Sequence, residues 1–222
     1  MAIPIRQSRE PGGFLRVAVV CLLVGASASL AGAIDARLRT AIEQAWGQTP
    51  QAVRAFDAAN AALKAGKDAE AANGYREALQ ASPRMLQALV ALTLLQASSN
   101  DPAVRSPADA TANSTKATNV LQDIFQLKIT GKLPDTKDLH LSLLLMKAQI
   151  FHGVAAARSA AGDFARAVQY GGVALHAAQT LDKESPGAEH ARLTSAIQAD
   201  LAVFQSNQAL HGVKPLPIGV LE

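Results

Sequence analysis

Five histidines, His140, His152, His176, His190 and His211, are the side chains best suited by type to acid–base or metal chemistry in this chain. Such chemistry on a helix needs ligands or bases on one face, as in H-E-x-x-H. No histidine here has a His, Asp or Glu at that spacing; Asp138 precedes His140 by two positions, which puts the pair on different faces. The histidines therefore read as surface or boundary residues. There is no G-x-S-x-G nucleophile elbow, and Gly12-Gly13 and Gly171-Gly172 lack the flanks of a phosphate loop. Asp68, Glu70 and Glu77 gather on one predicted helix, where carboxylates are normally solvated. Cys21 is the only cysteine, so the chain beyond it has no disulfide, thiol nucleophile or thiolate metal site. The expectation is a protein that is not an enzyme and that carries no cofactor and no metal.

The elements that would have to position any site come next. Of the 222 residues, 49% are hydrophobic but only 4% aromatic, and alanine is the commonest apolar type. Alanine has the highest helix propensity, and no segment alternates apolar and polar residues for long, so the chain reads as all-α. The formal charge is +3; without residues 1–33, which hold Arg6, Arg9, Arg16 and Glu10, it is +1. No basic stripe with interleaved aromatics remains, which argues against nucleic acid as a partner.

The organising stretch runs from Val53 to Pro83. A helix over about Pro50–Lys64, with Phe56 and Leu63 on one face, should stop at Gly66, because glycine takes the left-handed backbone conformation cheaply. A second helix places Ala71 and Ala78 about two turns apart with Tyr75 between them. Small residues let helix axes approach closely, and Tyr75 adds apolar area. Pro83 should end that helix and open the next. A fainter copy returns over Ala156–Gln179, with Gly162, Phe164, Ala167, Ala174 and Leu175 in corresponding places.

These residues resemble the tetratricopeptide repeat, a helix-turn-helix unit of about 34 residues. Gly66, Ala71, Tyr75, Ala78, Leu79 and Pro83 match its second-helix pattern. Ala58, Ala59 and Ala62 depart from its first helix. In the second copy Gly171 stands for the second aromatic and Gln179 for the proline. The resemblance covers about a quarter to a third of the chain and implies antiparallel hairpins stacked as a short right-handed superhelix with a C-terminal capping helix. It also implies partner binding on a concave face lined by first helices. There Phe56, Asn60 and Lys64 share one face, and Gln149 and His152, with Ala156 and Ser159, share another. Asn60 and Lys64 could bond a peptide backbone or carboxylate.

Arg6 and Arg9 precede the apolar stretch Phe14–Ala33, which ends in small residues. This reads as a secretory signal peptide cut after Ala33, with an uncleaved membrane anchor as the competing reading. Val20 before Cys21 speaks against lipoprotein processing. Either reading exports the remainder, to the periplasm or the outer face of the inner membrane. Ile34–Trp46 reads as a short amphipathic helix. The span Met85–Leu95 is apolar all round, which marks a buried helix and also a candidate homodimer face. Residues of about 98–117, rich in Ser, Thr, Asn and Asp, read as a loop insertion, and Asn113-Ser114-Thr115 fits a glycosylation sequon. Helices are expected from about Ala117, over Asp138–Ala161 and Asp163–Leu181, and over Ala188 to about Asn207 as the cap. The helical domain is thus 34–211, with an extended tail over 212–222. The expected function is a non-enzymatic protein–protein interaction scaffold. The alternative is a ligand-binding or structural helical bundle that is not a true repeat.

Overall fold

The start of the first described helix is written in a short cap sequence. Thr49 caps the first helix: its hydroxyl accepts from the Ala52 amide at 3.2 Å, with Pro50 just inside the helix. The computed structural model describes residues 49–133 and 135–212. Over them it shows seven helices and no strands: α1 Pro50–Lys64, α2 Asp68–Ala81, α3 Leu86–Ser98, α4 Pro107–Ile129, α5 Lys137–Ala160, α6 Phe164–Glu184 and α7 Ala188–Gln205. The leader, the expected helix at Ile34–Trp46, and the tail beyond Gly212 lie outside the described residues.

Four of the seven helices end in the same way. At Gly66, Gly131, Gly162 and Asn207 the backbone turns left-handed, with φ of 76°, 68°, 80° and 58°. In each case the next amide reaches back five residues, as Lys67 does to Ala62 (3.0 Å) and Asp163 to Arg158 (2.9 Å). This double bond to the last turn satisfies carbonyls that would otherwise be orphaned. It also reverses the chain, so α1 lies back against α2 and α5 against α6.

The helix α3 is the hub. All thirteen of its residues are buried, enclosed by α2, α4 and α5. A helix apolar on every side is stable only when covered on every side. Its hydroxyls are satisfied locally, Thr93 donating to the Leu89 carbonyl at 2.7 Å, and Gln96 accepts from Asn113 of α4 at 2.9 Å. The Met85–Leu95 surface offered as a dimer face is therefore spent inside the chain.

Three further expectations need correction. The segment read as a loop through residue 117 is helical from Pro107. Ser106 caps α4 by accepting from the Asp109 amide at 3.4 Å, with Pro107 at the first turn. Composition suggested a loop, but Ser-Pro at a helix start is an N-terminal signal of the kind Thr49-Pro50 supplies to α1. Asn113 of the sequon is buried on that helix and bonded to Gln96, which leaves its amide no room for a glycan. Finally, Pro83 lies in the turn and α3 starts at Leu86.

The main core runs through α1–α5 and takes in Phe204 and Leu210. A second, smaller cluster joins Ala148, Ala174, Ala177 and Ala178 to Leu193 and Ile197 of α7. By length and composition α5 could cross a membrane, yet 56% of its most apolar window is buried within the fold.

Candidate functional site

Gly162 follows Gly66 by 96 positions, and that offset maps one hairpin onto the other. Ala52, Ala59, Ala71 and Ala78 line the seam between α1 and α2; Ala148, Ala155, Ala167 and Ala174 stand at the same places in α5 and α6. All eight are 0–1% exposed. The two hairpins therefore share turn geometry and a small-residue seam, which lets the helix axes approach closely.

They differ in what fills the seam. In the first hairpin Phe56 and Tyr75 meet at 5.6 Å between ring centroids, tilted by 46°, and both are fully buried. The Tyr75 hydroxyl donates to Asn60 Oδ1 at 2.7 Å. Burial pushes the Tyr75 phenol above its usual titration range. In the second hairpin the corresponding positions hold His152 and Gly171. The aromatic pair there is one position earlier, Phe151 with Tyr170 at 5.9 Å, stacked and only half-buried. One position is about 100° around a helix, enough to move the rings from the seam to its flank.

The space this leaves is filled from α7. His152 Nε2 donates to Asp200 Oδ2 at 2.7 Å, with side chains 6% and 10% exposed. Beside Gly171 lie Leu201 and Phe204; a Cβ added there would stand 2.9 Å from Leu201 Cδ1. The Ser159 hydroxyl donates to the Gln208 carbonyl at 3.2 Å, just beyond α7.

The five expected contact residues therefore have different fates. Phe56 and His152 are interior, because the face that carries them is the packing seam itself. Asn60 is half-buried and engaged by Tyr75, and Lys64 is exposed in the last turn of α1. Gln149 is half-buried and lines an open cleft between α3 and α5 with Leu86, Gln87, Val90, Met146 and Ile150, of about 210 Å³ including its mouth. Gln87 Oε1 is buried there and has no hydrogen-bond partner. The enclosed room of the cleft is about 10 Å³, enough for one water, and its lining offers an acceptor to an N–H or O–H donor.

Two of these residues escaped sequence reasoning. Asp200 does leave a trace, a carboxylate on the apolar stripe of α7 formed by Leu193, Ile197 and Phe204. Gln87 leaves none beyond being polar in an apolar helix. His152 departs from the boundary role expected for the histidines. The others are half-buried or exposed: His140 pairs with Glu184 at 3.1 Å, and His190 Nδ1 donates to the Ser185 carbonyl at 2.6 Å. His211 Nδ1 accepts from Arg105 at 2.6 Å. Among the described residues no three His, Cys, Asp or Glu side chains converge as metal ligands. Comparison with family models, with curated proteins and with solved structures returned no match.

Proposed function

We propose that the chain is a non-enzymatic, helical-repeat scaffold of tetratricopeptide-like type that binds a partner protein or peptide, exported or held at the membrane by its N-terminus. The observation that carries the reading is the pair of hairpins 96 positions apart, with the same reverse turn and the same buried alanine seam. A unit repeated with its packing rules intact, and joined through a shared central helix, is how extended binding surfaces are assembled from hairpins. Lys64 at the end of α1 and Gln149 in the α3–α5 cleft are the accessible polar groups of the expected contact set. One observation favours the ligand-binding bundle as a second reading: the unpartnered Gln87 acceptor inside the α3–α5 cleft.

The test is an affinity capture from detergent-solubilised envelope with the full chain, leader intact and tagged at its C-terminus. The scaffold reading expects one stoichiometric protein whose capture falls on Lys64→Glu or Gln149→Ala. Mass spectrometry of the bait places its N-terminus at Ile34 for a cleaved signal peptide or near Met1 for an anchor. No protein captured at any salt concentration overturns the scaffold and turns attention to a small donor-bearing ligand in the cleft.

A further inference from the structure

Two of the residues expected on the contact face of the second hairpin, His152 and Ser159, are covered by later residues of the chain. His152 meets Asp200 and Ser159 meets Gln208, both contributed from beyond α6. The seat is made of small side chains, Ala148, Gly171, Ala174 and Ala178, so it is a trough rather than a filled seam. Into it α7 lowers Leu193, Ile197 and Phe204, and Asp200 falls between the last two. Only those four of its eighteen residues are buried, against all thirteen of α3. A short turn, Ser185–Gly187, joins α7 to α6. Beyond α7 the chain is tied by buried Leu210 and by single hydrogen bonds, Ser159 to the Gln208 carbonyl, Gly212 N–H to the Ser98 carbonyl at 2.8 Å and Arg105 to His211. This is how an amphipathic helix lies in a groove, with one apolar stripe, one polar anchor, half-buried Leu201 and Val203 on its flank and the opposite face in water.

We infer that the α5–α6 seat is a helix-binding groove held closed in cis by α7. The ligand it fits is an amphipathic helix with apolar residues four and eleven positions after the first and a carboxylate at seven, where Asp200 meets His152. The inference deepens the scaffold reading and rests on it for biological use, but the groove can be examined with α7 itself as the probe. A fluorescein-labelled peptide of residues 188–208 is titrated into the full chain and into the full chain carrying Ile197→Asp, which unseats α7. Hydrogen exchange is followed on the unaltered chain.

The variant should bind the peptide about tenfold or more tightly than the unaltered chain, whose groove is already occupied. A peptide carrying Asp200→Asn should bind the variant about tenfold more weakly, having lost its charged anchor for His152. In the unaltered chain the α7 amides should exchange at least about tenfold faster than those of α3, as a unit that opens alone. A folded variant that ignores the peptide overturns the groove. So does a variant in which α1–α6 unfold together with α7, or exchange of α7 in step with α3. Partner capture that survives such a failure leaves the scaffold standing without this groove. Peptide binding without any captured protein removes the scaffold and leaves a groove that serves only closure.

Discussion

The first hairpin, α1–α2, completes itself; the second, α5–α6, is completed by another helix. Both use the same turn and the same alanine ladder. In the first, Phe56 and Tyr75 fill the seam from within. In the second, the rings are displaced by one position to Phe151 and Tyr170, and the seam is closed by His152–Asp200 and Phe204. The lesson is that a helical hairpin can keep its backbone geometry while handing part of its core to a neighbour. Where it does so, the neighbour becomes a candidate for removal. The ends of the second helices follow the same logic. Pro83 cannot continue a helix, and α2 stops at Ala81; Gln179 at the matching place can, and α6 runs on to Glu184. Those added turns carry Leu181, which is buried.

The comparison is broken most strongly at the buried His152–Asp200 hydrogen bond. His152→Phe restores the first hairpin's residue but leaves Asp200 buried without a partner, and should cost about 3–5 kcal/mol. Adding Asp200→Leu should return most of that loss, because an apolar pair of similar volume replaces the buried polar pair. Urea denaturation of the two singles and the double measures the coupling. Independent, additive effects would mean that the pair does not stand in for Phe56 and Tyr75.

A smaller effect tests what the hairpins share. Gly66→Ala and Gly162→Ala should each cost about 1–2 kcal/mol, the penalty for a side chain in the left-handed region. At Gly162 a Cβ would meet no atom within 4 Å, so the cost there is purely backbone strain. Midpoints of thermal unfolding should fall by similar amounts for the two. A large inequality would show that one turn contributes more than reversal of the chain.

A still smaller effect is expected at the seam of the first hairpin. Tyr75→Phe removes the hydroxyl that donates to Asn60 and should cost about 1 kcal/mol. It should also change the alkaline limb of the stability curve. The Tyr75 phenol is raised in the folded state, so the unfolded chain ionises first and stability falls as pH rises past the usual phenol range near 10. The variant should lose that part of the slope, measured as denaturation midpoint against pH. Tyr170→Phe, on the half-buried flank, should stay within about 0.5 kcal/mol of the unaltered chain.

The all-helical class and most helix boundaries were legible because they depend on neighbours in sequence. Alanine content, glycine at the reverse turns and apolar periodicity act over one or two turns of chain. The α4 start at Pro107 was equally local, in Ser106-Pro107, but was hidden by the polar composition around it. Burial of α3 on every side was also readable, since a helix without a polar face has nowhere else to go. Of the expected contact residues, Lys64 and Gln149 are accessible, whereas Phe56 and His152 are not. Face-sharing on a helix says which residues point together, not whether they point outward. Only the tertiary structure decided that a histidine in α5 meets a carboxylate 48 positions later. Only it decided that Gln87 keeps an unpaired acceptor and that Gly171 makes room for Phe204 rather than for a turn. These outcomes depend on which helix is brought against which, a choice made by the sum of many weak apolar contacts across the fold and written in no single stretch of sequence.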